Sequence, residues 1–110
     1  MSRGYFITGT DTDSGKTVVT LGLMQLLQDR GYRVAGMKPV AAGAEQTVQG
    51  WRNSDALQLQ AQSTGLLDYA TLNPYLFEPP IAPHLAARQA GIAIDFSRIR
   101  QCFDELADQV

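Results

Sequence analysis

The sequence predicts an α/β fold with a parallel central sheet. Residues 4–8 are aromatic and β-branched, which is typical of a buried strand, and residues 16–30 have the apolar pattern of a helix. Residues 33–37 form a second strand pattern that Pro39 stops. Strand, helix and strand within a few tens of residues make a βαβ unit, whose strands run parallel with a right-handed crossover.

The composition is that of a folded, weakly acidic protein. Of 110 residues, 45% are hydrophobic and 18% charged, and the formal net charge is −2, so a nucleic-acid binder with a basic stripe is not expected. The single cysteine, Cys102, cannot form an internal disulfide, which is typical of a reducing compartment. No apolar stretch reaches the roughly 20 residues of a membrane span, and the run after Arg3 is too short for a signal peptide. We expect a cytoplasmic protein with no membrane partner.

The first helix carries apolar residues around most of its circumference, so we expect burial on more than one side. Gly31 is placed to end it in a left-handed cap. Gly22 in its middle costs about 1 kcal/mol relative to alanine, and a close approach of the helix to the sheet is the expected compensation.

A glycine-rich turn joins the first strand to the first helix. Residues 9–17 read Gly-Thr-Asp-Thr-Asp-Ser-Gly-Lys-Thr. The backbone N–H groups of such a turn and the positive end of a helix form a nest for phosphate oxygens. Lys16 is placed to reach the terminal phosphates and Thr17 to ligate Mg²⁺. Five residues separate the two glycines, one more than in the common motif, and an ordinary capped turn is the alternative interpretation.

The rest of the chain predicts three helices and two loops. We expect a mobile loop at residues 41–53 and a helix, capped by Asn53 or Ser54, that runs to about residue 64. Residues 73–83 are interrupted by prolines and are expected to be irregular. A short helix is predicted at 84–90, and an amphipathic helix begins near Asp95 or Ser97.

The number of predicted strands is small for a parallel sheet. Such a sheet is covered on both faces and normally has more than two strands. We therefore expect residues 1–110 to be the N-terminal part of a single, truncated P-loop ATP-binding domain. A small α+β domain with an unrecognised strand is the alternative.

An ordered set of motifs resembles the dethiobiotin synthetase family. The motifs are the turn at 9–17, Lys-Pro-Val-Ala at 38–41, Arg-Asn-Ser-Asp-Ala at 52–56, Asn-Pro-Tyr at 73–75 and Pro-His at 83–84. The resemblance runs from Tyr5 to the last helix and corresponds to the N-terminal half of the family's length. It implies a P-loop NTPase-like three-layer fold with a parallel central sheet.

The resemblance also implies an activity, the ATP-dependent closure of a ureido ring in biotin biosynthesis. The substrates would be 7,8-diaminononanoate, CO₂ and MgATP, and the products dethiobiotin, ADP and phosphate. One amine traps CO₂ as a carbamate, whose oxygen attacks the γ-phosphorus to give a carbamic–phosphoric anhydride. The second amine then closes the ring and expels phosphate. The resemblance implies a homodimer, and we expect the 110-residue chain alone to be inactive.

The chemistry and the resemblance together indicate the site residues. An anionic carbamate that approaches a triphosphate needs a second cation, and Lys38 is expected at the carboxyl end of the second strand, where α/β sheets bind ligands. The resemblance implies catalytic roles for Lys38, Lys16 and Thr12. It implies a nucleotide-binding set of Asp13, Ser14, Gly15, Lys16, Thr17, Val18 and Asp55, with Thr17 and Asp55 as the magnesium ligands. Ala42 stands where the family commonly has a serine that contacts the diamine, so that hydroxyl is missing.

Several alternatives stay open at this point. Lys38 also fits a solvated loop lysine, and Asp55 a carboxylate favoured by a helix dipole. Thr12 also fits a turn hydrogen bond. Trp51 fits a lid or an interface, and His84 a substrate loop or simple packing. The other functions considered are a related P-loop ATP-dependent amidotransferase or synthetase, and a non-catalytic nucleotide-binding fragment.

Overall fold

The computed structural model describes residues 15–110, which contain five helices and four short strands. The predicted strand at 4–8 and the turn at 9–14 lie outside the described residues. The helices are α1 (Lys16–Asp29), α2 (Ser54–Gln62), α3 (Tyr69–Leu72), α4 (Pro83–Ala90) and α5 (Phe96–Gln109). The strands are β1 (Val40–Ala42), β2 (Glu45–Thr47), β3 (Gly50–Arg52) and β4 (Tyr75–Phe77).

The strands form two separate pairs. β1 and β4 are parallel, with Val40 opposite Tyr75 and Ala42 opposite Phe77. β2 and β3 form an antiparallel hairpin in which Glu45 lies opposite Arg52. The parallel pair confirms the α/β class, although the strands that form it are not the two that the sequence pattern predicts.

The segment 33–37 pairs with no strand among residues 15–110, and its predicted partner at 4–8 lies outside the described residues, so this strand stays a prediction. Its backbone instead bonds the end of α2: Thr64 donates its N–H to the Val34 carbonyl at 2.7 Å, and Gly36 donates to the Ser63 hydroxyl at 2.9 Å. β1 begins directly after Pro39. Proline has no N–H to donate, but its carbonyl can still accept a hydrogen bond. The Pro39 carbonyl accepts the Tyr75 N–H at 3.2 Å.

Two predicted loops contain strands. Residues 41–53, expected as a mobile loop, hold the end of β1 and the whole β2–β3 hairpin. Residues 73–83, expected to be irregular, hold β4. All four strands have three residues. A strand is recognised in a sequence by a longer run of alternating apolar and polar residues, so strands this short give no clear signal.

Helix α1 confirms its predicted bounds and its predicted end. Gly31 has φ +89°, and two hydrogen bonds close the last turn: Gly31 N–H to Gln28 at 3.0 Å and Tyr32 N–H to Leu27 at 3.1 Å. This arrangement is a Schellman motif, which satisfies carbonyls that the helix leaves unpaired.

The burial of α1 differs from the expectation. Only Met24 is buried, whereas the side chains of Val18, Val19 and Leu26 are at least half exposed. A Cβ added at Gly22 would meet no atom within 4 Å in the described part of the chain, so the close approach expected there is not found in it.

The other predicted helices are present at their expected places. α2 is capped by Asn53, whose side chain accepts the Ala56 N–H at 3.0 Å. α4 begins at Pro83 and ends at a left-handed glycine, and α5 is capped by Asp95. α3 was not predicted, because four residues are too few for a helical period.

The main core packs α1, α2, α3 and α5 around the segment before β1. Its buried members are Met24, Val34, Ala56, Leu59, Leu67, Tyr69, Leu72 and Leu106. Ala56 in the first turn of α2 and Leu72 at the end of α3 are completely buried. The core therefore anchors the start of α2 and the chain that enters β1. None of the helices in residues 15–110 has the length and apolar character to cross a membrane.

Candidate functional site

Two of the predicted site residues form an ion pair. The Lys38 ammonium lies 3.6 Å from a carboxylate oxygen of Asp55, and their side chains are 30% and 38% exposed. A pair this accessible contributes at most about 1 kcal/mol to folding. The structure thus places a cation and an anion side by side where a ligand can reach both.

The position of Asp55 follows from the start of α2. Asn53 caps the helix, and Asp55 is the acidic residue of its first turn. The positive end of the helix dipole favours a carboxylate there, which is the structural role that the sequence left open. The ion pair with Lys38 adds a second interaction on the side of Asp55 that faces β1.

The backbone of Lys38 is held at both of its polar groups. Its N–H donates to the Leu72 carbonyl at 2.9 Å, and its carbonyl accepts from the Asn73 side-chain amide at 2.7 Å. Lys38 also precedes a proline, which restricts it to extended conformations. It lies two residues before the start of β1 at Val40, and its place at the carboxyl end of a strand at 33–37 stays a prediction.

The start of α1 has the character of an anion-binding site. Gly15 is left-handed, with φ +82° and ψ 13°, and as the N-cap it has no side chain of its own to accept a hydrogen bond from the helix. The first helical hydrogen bond runs from Val19 N–H to the Gly15 carbonyl at 3.0 Å, so residues 16–18 have no acceptor within the helix. No acidic residue lies in the first turn. N–H groups at such a helix start are suited to phosphate oxygens.

The two halves of the predicted site are not joined by direct bonds. Among the described residues, no hydrogen bond or ion pair links Lys16 or Thr17 to the Lys38–Asp55 pair. Val18 is 73% exposed at the start of α1. Thr12, Asp13 and Ser14, which the sequence also assigns to the site, lie outside the described residues.

An open cleft of about 430 Å³ lies beside Asp55, between β1, the hairpin and the start of α2. Its lining is Ala42, Gly43, Ala44, Glu45, Asn53, Ser54, Asp55, Glu78 and Pro80. Ala42, the predicted substrate residue, lines the same cleft as Asp55. Glu45 and Glu78 bring two further carboxylates, and they were missed because both belong to segments predicted as loops. A cleft with this charge is suited to a cationic group such as an ammonium.

The donor groups of Thr17 and Asp55 fit magnesium. Mg²⁺ prefers oxygen ligands, and it keeps waters or phosphate oxygens in its remaining positions. The Asp55 carboxylate is 38% exposed and its partner among residues 15–110 is the Lys38 ammonium at 3.6 Å, so it is open to a further cation. Residues 15–110 hold no cluster of three or more acidic, histidine or cysteine side chains. A magnesium site with two protein ligands, completed by phosphate oxygens and water, needs no such cluster.

Trp51 and His84 do not line the cleft. Trp51 lies on β3 and is 42% exposed, and His84 is exposed in the first turn of α4.

A family model described as an AAA domain matches residues 3–110. The chain belongs to this family. AAA domains are ATP-binding domains of the P-loop type, which fits the α/β fold and the parallel strand pair.

Curated relatives are similar along most of the chain. An ATP-dependent dethiobiotin synthetase BioD from Chromohalobacter salexigens is 62% identical over 79% of this AAA-domain chain and 37% of its own length. BioD 1 from Escherichia coli O157:H7 is 55% identical over 88% of this chain and 43% of its own. BioD from Xanthomonas euvesicatoria is 50% identical over 96% of this chain and 47% of its own. These relatives confirm the resemblance that the motifs predict, and the chain spans less than half of their length.

Proposed function

We propose that the whole protein closes the ureido ring of dethiobiotin from 7,8-diaminononanoate, CO₂ and ATP, with ADP and phosphate as the other products. The observation that carries this proposal is the Lys38–Asp55 pair at 3.6 Å, which unites two of the motifs on which the resemblance depends. The similarity to the dethiobiotin synthetases supports the same reaction.

Lys38 is the catalytic cation of the proposed reaction. One amine of the substrate takes up CO₂ as a carbamate, which is an anion. The Lys38 ammonium offsets the charge as a carbamate oxygen approaches the γ-phosphorus, and the bond to ADP breaks as the anhydride forms. The second amine then attacks the carbonyl carbon, and phosphate leaves as the ring closes.

The start of α1 binds the triphosphate. The N–H groups of residues 16–18 and the left-handed Gly15 would hold the phosphates, and the Lys16 ammonium would neutralise their terminal oxygens. We assign Asp13 and Ser14 to the same loop, and Thr12 to the region where carbamate and phosphate meet. The half-exposed Lys16 and the left-handed glycine before the helix support the part of this assignment that concerns α1.

Thr17 and Asp55 hold magnesium in this proposal. The bound ion supplies charge neutralisation on the phosphate oxygens. The two oxygen ligands come from α1 and from the first turn of α2, so the site requires both helix starts to face one ligand. Ala42 contributes surface to the substrate cleft and no hydrogen bond.

We further propose that residues 1–110 are the N-terminal part of a single P-loop ATP-binding domain with three layers, in a homodimeric cytoplasmic enzyme. The family match over residues 3–110 supports one domain. The relatives, of which the chain covers 37% to 47%, support a longer whole protein.

The test uses the complete gene product with ATP, magnesium and bicarbonate, and it follows phosphate release with and without the diamine. Release that requires the diamine, with dethiobiotin detected by mass, supports the proposal. ATP hydrolysis at the same rate with and without the diamine indicates instead a related amidotransferase or synthetase. Saturable ATP binding without turnover indicates a non-catalytic nucleotide-binding protein. The 110-residue chain, assayed alongside, is expected to release no phosphate.

A further inference from the structure

We infer that Tyr69 and Asn73 are positioning residues that fix Lys38 and Asp55 relative to each other. Neither side chain touches the cleft or the helix start that binds phosphate. Both act through a buried chain of hydrogen bonds that runs from the backbone of Lys38 to the cap of α2. The catalytic part of this inference rests on the proposed function, whereas its geometric part does not.

The Tyr69 hydroxyl is the centre of this chain. It accepts the backbone N–H of Asn53 at 2.9 Å and donates to the Asn73 side-chain oxygen at 2.8 Å. All three residues are less than a tenth exposed. Because Asn53 is the N-cap of α2, the hydroxyl attaches the start of that helix to the end of α3.

Asn73 completes the connection to Lys38. Its side-chain amide donates to the Lys38 carbonyl at 2.7 Å and to the Tyr75 carbonyl at 3.1 Å. The Lys38 N–H bonds the Leu72 carbonyl, one residue before Asn73. Residues 72 and 73 thus hold both backbone groups of Lys38, and Tyr69 holds the helix start from which Asp55 projects.

The ion pair cannot maintain this geometry alone. Both of its side chains are about one third exposed, and solvent weakens such a pair. The hydrogen bonds of the Tyr69 hydroxyl with Asn53 and Asn73 are buried, and the bond from Asn73 to the Lys38 carbonyl is partly buried, so the loss of a partner in this chain is costly. The separation of ammonium and carboxylate is therefore set by the buried chain and only adjusted by their attraction.

Tyr69→Phe tests the inference, and Tyr75→Phe is a matched control. The Tyr75 hydroxyl also accepts one backbone N–H, that of Asp95, at 2.9 Å. Each ring also lies under a guanidinium, Arg52 at 4.4 Å for Tyr69 and Arg98 at 5.9 Å for Tyr75. Both variants remove one hydroxyl and keep the ring, but only the hydroxyl of Tyr69 links to Lys38.

The first readout needs no catalysis. The folded complete protein is treated with a limiting amine-acylating reagent, and the modification of Lys38 is measured by peptide mass analysis relative to Lys16. In Asp55→Asn the Lys38 ammonium has lost its carboxylate partner, and this variant gives the reference value of the Lys38-to-Lys16 ratio. Tyr69→Phe should raise the ratio severalfold toward that value, because the Lys38 ammonium is no longer held beside Asp55. Tyr75→Phe should leave it at the wild-type value. Equal ratios in Tyr69→Phe and the wild type would overturn the inference.

The second readout is steady-state kinetics. Tyr69→Phe should lower kcat by about tenfold or more with little change in the KM for ATP, since misplacement by a fraction of an ångström affects the reacting groups and not the phosphate site. A rise of KM alone, or an equal loss in Tyr75→Phe, would contradict a positioning role. If the wild type shows no diamine-dependent turnover, the proposed function fails, and the acylation ratio still decides the geometry.

A third measurement covers the case in which Tyr69→Phe does not fold. Hydrogen exchange of the wild-type protein should show the Asn53 and Lys38 amides protected to a similar degree, because one buried unit holds both. An Asn53 amide that exchanges like those of the exposed hairpin tip, beside a protected Lys38 amide, would refute the link through Tyr69.

Discussion

The two helix starts of the candidate site differ in how their positive ends are satisfied. α1 begins at a left-handed glycine, which has no side chain to cap the helix, and has no acidic residue in its first turn. α2 begins at an asparagine cap and carries Asp55 in its first turn. The positive end of α2 therefore already faces a carboxylate of the protein, whereas the first turn of α1 supplies none. In the proposed function this difference assigns the phosphate to α1, and it leaves α2 to present an anion to the Lys38 cation.

The largest expected effect comes from removal of the cation that α2 recruits. Lys38→Gln should lower kcat of the complete protein by about 100-fold or more, because one preorganised charge at the transferring phosphoryl group is lost. ATP binding, measured by titration, should be nearly unchanged. Arg30→Gln, an exposed cation at the far end of α1, is the control and should retain full turnover. Near-normal kcat in Lys38→Gln would remove Lys38 from the reaction.

The next effect comes from the open start of α1. Gly15→Ala should lower stability by about 1–2 kcal/mol, because an L-residue is strained at this left-handed position, and it should also weaken ATP binding. Gly22→Ala in the middle of the same helix is the control. It should raise stability by about 1 kcal/mol and leave ATP affinity unchanged. Thermal unfolding and nucleotide titration measure both effects, and equal affinities in the two variants would contradict a phosphate site at Gly15.

A smaller effect is expected at the cap of α2. Asn53→Ala should cost about 1–2 kcal/mol of unfolding free energy, since it loses the bond to the Ala56 N–H and the donor to the Gly43 carbonyl. Asn53→Asp keeps a side-chain oxygen that can accept the Ala56 N–H, so its free energy of unfolding should fall less than that of Asn53→Ala. Urea unfolding separates the two variants. If Asn53→Asp were as destabilised as Asn53→Ala, the cap would not be the main contribution.

The smallest effect is expected in the cleft. Ala42→Ser restores a hydroxyl that can contribute one hydrogen bond to the substrate, worth about 0.5–1.5 kcal/mol. The KM for the diamine should fall severalfold while the KM for ATP stays the same. Ala44→Ser, in the same cleft lining, is the control. A change of equal size in both variants would show that Ala42 has no special place in substrate binding.

The sequence predicted those parts of the molecule whose signals are local. The bounds of α1, the left-handed Gly31 and the Asn53 cap all follow from residue types within one or two turns of each other. Lys38 and Asp55 were each identified as candidate site residues through separate motifs, and their ion pair is a finding of the structure.

The parts that were missed depend on contacts between distant residues. β1 and β4 have three residues each, and their pairing joins segments 35 positions apart, as in the register of Val40 and Tyr75. The hydrogen bond from Asn73 to Lys38 spans the same separation. No local periodicity encodes such pairings, so β1 and β4 were not predicted.

The β2–β3 hairpin carries a fluorescent side chain, Trp51. Trp51 is the only tryptophan among the 110 residues, and it is 42% exposed on β3, two residues before the Asn53 cap. Indole emission depends on the polarity around the ring, so the chain contains an intrinsic fluorophore next to the α2 end of the cleft. A change in the surroundings of the hairpin can therefore be followed by a spectral change without any attached dye.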